Sequence, residues 1–420
     1  MCTMVLKETI SYYTTNQSSV FCSFLDASKA FDRVRYCKMF RLLMRRGLPA
    51  CIVRILIVLY TSSQVRVSWA GLYSDYFSVL NGVKQGGVIS PVLFCIYLDD
   101  LLLRLAASGV GCFIGLNYVG ALAYADDIVL LAPNPSALRK LLSICDSYAA
   151  EFDIQFNPDK SKFIVIAASK RRQFYVDMCN CHFSIGGSSI ENVDQFSHLG
   201  HIITSSFADS ADVLNRRNSF VCQTNNVLCF FDKLDMSVKL KLFVSYCSSI
   251  FGCELWSLNN ANVEQFCVAW RKALRRIFCL PPNAHSYLLP IISYTIPIFD
   301  EICKRVARFV TSCLLSSSTL VSSVARYGVT FGRNNSLLGS NVLFCCDRYK
   351  WSYDKFIHNV FLCNNNFFKC WYHETLSELE RNTAGFLLEL LFIREGYFCL
   401  PHEFLTRCQV NDIIIDVATS

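Results

Sequence analysis

The spacing of apolar residues changes along the chain, and the elements it predicts change with it. The segment up to Tyr13 reads as a short helix ending in the polar linker Thr14 to Ser19. Val20 to Leu25 is a continuous, β-leaning apolar run that stops at Asp26. From Tyr36 to Leu59 the apolar positions follow a helical period broken at Gly47 and Pro49, which predicts two helices. Gln64 to Trp69 and Phe77 to Leu80 read as strands. After Ser90-Pro91, residues Leu93, Phe94, Tyr97, Leu98, Leu101, Leu102 and Leu105 recur at helical spacing. Leu122 to Leu131 differs: two apolar strands meet at Asp126-Asp127, a hairpin with acidic residues at its tip. Asn134 suits a helix cap and Pro135 the first turn that follows. The buried face of that helix carries Leu138, Leu141, Leu142, Cys145, Tyr148 and Phe152. Ile154 to Phe156 and Phe163 to Ile166 read as strands around the loop Asn157 to Lys162. Past about Ala208 the helical period dominates. The first half is therefore expected to mix strands and helices, and the second to be mostly α.

Composition raises one question that the pattern answers. Hydrophobic residues make up 53% of the chain and the mean hydropathy is +0.32, which calls for a membrane test. Phe40 to Tyr60 is interrupted by Arg41, Arg45, Arg46 and Arg54, and Val88 to Leu103 by Asp99 and Asp100. Neither supplies the roughly 18 clean apolar residues of a spanning helix. Phe309 to Ala325 is dense in Ser and Thr. A core rich in Phe, Leu and Cys accounts for the composition, and no membrane partner is expected. The 23 cysteines are odd in number and lack a framework spacing, and Lys7 and Glu8 interrupt the early apolar stretch that a signal peptide would need. Free thiols in a reducing compartment follow as the expectation. The net charge of +7 permits a polyanionic partner without requiring one.

The carboxylates carry the candidate chemistry. Asp26 ends a buried strand, and Asp126 and Asp127 sit at a hairpin tip. If the two strands are neighbours, three carboxylates converge and repel one another unless divalent cations neutralise them. Two Mg²⁺ ions about 3.5–4 Å apart are the usual solution, with Mn²⁺ as a substitute. The plain alternative is that Asp-Asp is a turn and Asp26 a strand terminator. The chain holds its own control: Tyr97-Leu98-Asp99-Asp100 has the same form as Tyr124-Ala125-Asp126-Asp127 but lies within a helical pattern, so its acids are expected to face solvent or pair.

At these residues the chain resembles a known family. Phe24-Leu25-Asp26-Ala27-Ser28-Lys29-Ala30-Phe31-Asp32 is similar to the first palm motif of the reverse transcriptases of non-LTR retrotransposons. Asn81-Gly82-Val83-Lys84-Gln85-Gly86-Gly87-Val88-Ile89-Ser90-Pro91 resembles their second motif, Tyr124-Ala125-Asp126-Asp127 their third and Asn157-Pro158-Asp159-Lys160-Ser161-Lys162 their fourth. His198-Leu199-Gly200-His201-Ile202 resembles the hairpin that grips the primer. Five motifs occur in family order between residues 20 and 205. The resemblance implies an α+β fold: a right-hand polymerase palm, an antiparallel sheet backed by helices, then a mostly α-helical thumb and tail. The implied regions are a remnant of the fingers (1–19), the palm and fingers (20–207), a thumb-like region (208–300) and a helical C-terminal region of unassigned role (301–420).

The implied reaction is RNA-directed DNA synthesis, in which deoxynucleoside triphosphates extend a DNA primer on an RNA template. Asp26 and Asp126 would hold the metals, with Asp127 completing the acidic set. Phe31 falls at the steric gate that rejects a ribose 2′-hydroxyl, its alternative being core packing. Lys84 suits a phosphate, Gln85 the incoming nucleotide or template, and Gly86 a close backbone approach. Lys160 is a candidate general acid for the pyrophosphate or a plain phosphate contact, with Lys162 as its alternative. Leu199 and Gly200 would hold the primer. Downstream, Arg271 with Arg275 and Lys272 with Arg276 share helix faces that either follow a nucleic-acid backbone or are simply solvated. Two Cys-x-x-His pairs, Cys370 with His373 and Cys399 with His402, sit in no recognisable zinc-finger spacing.

The chain departs from the family in one respect. Family members carry basic fingers, usually behind an endonuclease, before the first motif, whereas this sequence has Lys7 alone there. An N-terminally truncated element, weak or inactive in polymerisation, is the corresponding expectation. Other readings are a group II intron-type maturase, a viral RNA polymerase (disfavoured by Phe31 and by Ala125) and a domesticated or decayed enzyme that only binds nucleic acid. Localisation is expected in the cytoplasm and, as a ribonucleoprotein, the nucleus.

Overall fold

The computed structural model describes residues 1–168, 181–286, 288–293, 295–349 and 352–354. They form two compact units: residues 1–199 with 203–207, and residues 200–202 with those from 208 onward.

The first unit is built around β1 (Val20–Asp26), whose unbroken apolar run reflects burial on both faces. Around it lie β2 (Ala121–Tyr124), β3 (Asp127–Ala132), β4 (Lys162–Ile166), β5 (Phe183–Ile185) and β6 (Ser188–Asn192), in the order β5-β6-β4-β1-β3-β2. The sheet is antiparallel except for the parallel β4–β6 pair, a departure from the purely antiparallel expectation. Period-two alternation sorts the side chains. Phe21 and Leu25, Ile128 and Leu130, and Phe163 and Val165 join one core with α2 (Tyr36–Arg45), α4 (Ser90–Ala107) and α5 (Pro135–Phe152), while α3 (Ala50–Thr61) adds Val53 and Tyr60. Val20, Cys22, Phe24, Val129 and Leu131 take the opposite face, where α1 (Cys2–Thr15) packs against β1 and β2. Phe24 stacks on Phe196 at 4.5 Å on that side.

Helices α4 and α5 are clasped by buried tyrosines. The Tyr97 hydroxyl donates to the Phe152 carbonyl and the Tyr148 hydroxyl to the Tyr97 carbonyl, each at 2.5 Å. Asn134 caps α5 by accepting from the Ala137 N–H, and all six residues expected on its inner face are buried. The break between α2 and α3 falls at Gly47 and Pro49, as the sequence predicts.

Two strands differ from expectation. Gln64 to Trp69 splits into Gln64–Val65, paired with Phe77–Ser78, and Ser68–Trp69, paired with Leu72–Tyr73 across the left-handed turn Ala70-Gly71. Ile154 to Phe156 is not a strand, since only Phe156 bridges to Ala27. Its neighbours are taken up in stitching the loop to the end of β1: Ser28 N–H donates to the Gln155 carbonyl and Asn157 N–H to the Asp26 carbonyl, both at 2.8 Å.

The second unit is helical: α6 (Ser210–Phe230), α7 (Met236–Leu242), α8 (Ala261–Ile277), α9 (Leu288–Ser293), α10 (Ile298–Leu314), α11 (Thr319–Thr330) and α12 (Leu337–Tyr349). Phe220 of α6 stacks on Trp270 of α8 at 5.3 Å, with Phe243 and Phe266 around them. Burying an aromatic side chain of this size contributes about 2–3 kcal/mol, so this cluster is the natural anchor of the unit. Cys370, His373, Cys399 and His402 lie outside the described residues. No described helix is long and apolar enough to cross a membrane.

Candidate active site

The end of β1 is where the candidate chemistry collects. In the β1–β3 register Asp26 stands directly opposite Asp127, and cross-strand partners share a face with their Cβ atoms about 5 Å apart. Both acids therefore belong to the face of Phe24 and Val129, away from the helix-backed core. Asp126 is in the two-residue turn between β2 and β3, which Tyr124 and Asp127 close. Ala125 takes φ +53°, a conformation that costs a non-glycine residue about 1–2 kcal/mol. The strain sets Asp126 at the tip.

The electrostatics record the crowding. Burial first, and then the charges of Asp126 and Asp26, raise the Asp127 carboxyl above its ordinary value. Asp26 and Asp126 line a cleft of about 550 Å³ together with Phe31, Gln85 and Lys160, and Asp127 is not part of its lining. Among the described residues no three His, Cys, Asp or Glu side chains are grouped closely enough to form a ready metal cage. The donors are nonetheless hard carboxylate oxygens that repel one another, the set a Mg²⁺-like ion suits. They fit a divalent cation that would draw them together.

The other cleft residues are held by short local contacts. Asp26 N–H donates to the buried Ser161 hydroxyl at 3.2 Å, and Lys160 Nζ stands 3.9 Å from Asp26 Oδ2. The Asn157 side chain accepts from the Asp159 and Lys160 N–H groups, shaping the loop that presents the lysine. Phe31, in the 3-10 turn Ala30–Arg33, is half-buried with its ring stacked on Phe94 at 4.9 Å. Core packing and cleft exposure are thus both true of it. Val83 N–H donates to the Phe31 carbonyl at 2.7 Å and Gly82 N–H to the Val34 carbonyl at 2.8 Å. Gly82, at φ +87°, has room for no side chain, because a Cβ would lie 3.0 Å from the Asp32 backbone. Gln85 donates to Asp32 Oδ1 at 3.4 Å, which orients its amide beside the cleft.

Not every predicted residue comes to this place. Lys84 lines a neighbouring hollow with Tyr36 and Asn81 rather than the acid-bearing cleft. Gly86 is exposed in the turn, at φ +78°. Leu199 and Gly200 form the two-residue turn between Gln195–His198 and His201–Thr204, with φ +48° and +79°. Both signs fit the mirror-image hairpin turn that a two-residue loop favours. The basic row on α8 is largely engaged: Arg271 pairs with Glu264 at 2.6 Å, Arg275 donates to the Ala284 carbonyl and Ser286, and Arg276 donates to Asn225. Lys272 is exposed. The row is thus a set of intramolecular ties with one lysine presented outward. Lys162 pairs with Glu191 at 2.7 Å, which leaves Lys160 the better placed of the two loop lysines.

Sequence reasoning left Asp32, Arg33 and Ser161 without a role. Asp32 orients Gln85, Ser161 ties the β1 end, and Arg33 lines the cleft. Only the positive-φ demand at Gly82 had a signal to find, a glycine ahead of the Gln-Gly-Gly turn.

Comparison with known proteins adds the following. The family described as reverse transcriptase (RNA-dependent DNA polymerase) matches residues 3–203. A retrovirus-related Pol polyprotein from the type-1 retrotransposable element R2 of Nasonia vitripennis is 28% identical over 189 residues, which are 44% of this chain and 18% of that protein. The RNA-directed DNA polymerase from the mobile element jockey of Drosophila funebris is 23% identical over 276 residues, 61% of this chain and 28% of that one. The chain thus spans less than a third of the length of these relatives. A solved structure of apo telomerase from Candida tropicalis aligns with a TM-score of 0.39 and 13% identity, covering 77% of this chain and 56% of that one.

Proposed function

Since residues 3–203 make this chain a member of the reverse transcriptases, alongside those of non-LTR retrotransposons, we propose that it extends a DNA primer on an RNA template with deoxynucleoside triphosphates. One observation carries the reading: Asp26 faces Asp127 across β1 and β3, with Asp126 at the adjoining tip. This placement concentrates acidic oxygens beside a cleft that also presents an aromatic ring and an amide.

In this reading Asp26 and Asp126 would hold two Mg²⁺ ions, for which Mn²⁺ could substitute, and Asp127 would complete the set. When bound, such ions activate the primer 3′-hydroxyl and support the leaving pyrophosphate. The chain's own residues do the rest. The 3′-oxygen forms a bond to the α-phosphorus as the bond to pyrophosphate breaks. Lys160, beside Asp26, delivers a proton or a charge-assisted hydrogen bond to that leaving group. Phe31, backed by Phe94, excludes a 2′-hydroxyl. Gln85, oriented by Asp32, contacts the nucleotide or its template partner, and Leu199 and Gly200 support the primer. Lys84, facing the neighbouring hollow, is assigned to a phosphate of the strand. Lys272 is the α8 residue best presented to a nucleic-acid backbone. The site of action is intracellular, in the cytoplasm and, as a ribonucleoprotein, the nucleus.

The test is primer extension by the full chain on a homopolymer RNA with a DNA primer. Synthesis is expected with Mg²⁺ and deoxynucleotides and is expected to stop on chelation. Template binding without any synthesis, at every Mg²⁺ and Mn²⁺ concentration, would replace this reading with that of a binding protein.

A further inference from the structure

The tip of the candidate primer hairpin belongs to the helical unit: residues 200–202 group with the residues from 208 onward. The contacts that hold the tip are specific. Arg216 of α6 donates to the Gly200 carbonyl, and its guanidinium lies over the Phe251 ring at 5.3 Å. That ring in turn closes on Gly200, where a Cβ would meet it at 3.2 Å. Two residues past Gly200, the Ile202 N–H donates at 3.0 Å to Asp212 of α6, which is fully buried and whose other oxygen accepts from Trp256 Nε1 at 2.7 Å. His201 Nδ1 lies 3.7 Å from the same carboxylate. Burial works against the Asp212 charge, yet the nearby His201 ring and the hydrogen bonds from Trp256 and Ile202 outweigh it and hold the carboxyl below its ordinary value. The His201 ring fits against Gly252, where a Cβ would come within 2.3 Å of it. Behind Trp256, Asn341 of α12 accepts from Leu258 N–H and donates to the Trp256 carbonyl, at 3.0 and 2.8 Å.

A buried carboxylate costs several kcal/mol unless it is fully partnered. Here the partners are the backbone of the strand that leaves the turn and an indole, so the carboxylate serves to fix where the turn sits. A glycine turn that lets backbone approach a sugar–phosphate strand needs such fixing, because glycine itself imposes no conformation. We propose that Asp212 and Arg216, through Trp256 and Phe251, are positioning residues for the primer strand: they set the Leu199-Gly200 turn against the primer without contacting the nucleotide. This rests on the reading of the chain as a primer-extending polymerase.

The experiment uses the full chain with a fluorescein-labelled DNA primer on RNA template, read by equilibrium binding and by steady-state extension. Arg216→Ala, at a part-exposed position, tests the turn with little risk to folding. Asp212→Asn, which can satisfy only one of the two N–H donors, tests the buried tie. Each variant is expected to raise the KM for primer–template about tenfold, the order that losing one charge-assisted hydrogen bond predicts. The KM for deoxynucleotide is expected to stay within about twofold in Arg216→Ala, a split that simple destabilisation does not produce. An unchanged primer KM in both variants, or equal rises in both KM values, overturns the proposal. If the wild-type chain binds primer–template without extending it and Arg216→Ala binds about tenfold more weakly, the polymerase reading fails and the positioning role stands. A wild-type chain that binds no primer–template overturns the positioning role itself.

Discussion

Two stretches of this chain spell tyrosine, any residue, aspartate, aspartate, and they have nothing else in common. Tyr97 is fully buried in α4, its hydroxyl spent on the Phe152 carbonyl, whereas Tyr124 is 62% exposed at the end of β2. Asp99 and Asp100 are neutralised by Arg46 and by Arg104, the latter at 2.9 Å. Asp127 instead stands opposite Asp26 with Asp126 beside it in the turn, and burial first, then those two charges, push Asp127 toward its neutral form. The helix separates its acids onto a basic surface, and the hairpin gathers them against a third acid. The lesson is that carboxylates become a candidate metal site when the backbone gathers them against one another instead of handing each to an arginine.

The comparison can be broken first at the acids. Asp126→Asn or Asp26→Asn is expected to lower primer extension by roughly a thousandfold or more while RNA binding stays near wild type, because only the metal-dependent step is lost. Retained extension in Asp126→Asn would move the site elsewhere. Phe31→Val sharpens the picture beside those acids: discrimination against ribonucleotides is expected to fall about 10- to 100-fold, measured as the ratio of kcat/KM for the two sugars. An unchanged ratio would leave Phe31 with its packing role on Phe94 alone.

The tyrosines separate the two segments by stability rather than activity. Tyr97→Phe leaves the Phe152 carbonyl without its donor and is expected to cost about 1–3 kcal/mol in urea unfolding. Tyr124→Phe, at an exposed position, is expected to cost less than about 0.5 kcal/mol. The smallest effect on synthesis belongs to Asp100→Asn. Its pair with Arg104 is partly exposed, so it contributes at most about 1 kcal/mol, and extension is expected to remain within about twofold. A loss of synthesis in Asp100→Asn would mean that the helical segment, and not the hairpin, holds the metal.

Much of this was legible in the residues before any coordinate. Periodicity alone separates the helical Asp99-Asp100 from the hairpin Asp126-Asp127, places the Asn134 cap and the inner face of α5, and marks the break at Gly47 and Pro49. Elsewhere the structure adds to the local reading. Ile154 to Phe156 has strand chemistry, but its backbone partners are the residues just past β1. Arg271, Arg275 and Arg276 have the spacing of a basic stripe, yet a carboxylate, a loop carbonyl and an amide claim them. Lys84 sits in the right motif and turns to a different hollow. For Gln155 and Arg276 the competing partner is distant in sequence, whereas Arg271 and Arg275 are claimed from within about a dozen residues.

By itself, then, the sequence determined which segments are strands and helices, which face of each is buried, and which acids are available, because these depend on neighbours within a few residues. Tertiary structure decided that Asp26 pairs in register with Asp127, that Asp32 turns Gln85, and that Asp212 ties Ile202 to Trp256. Those are contacts between groups tens to a hundred residues apart, and their energies come from excluding water around partners that no local pattern names.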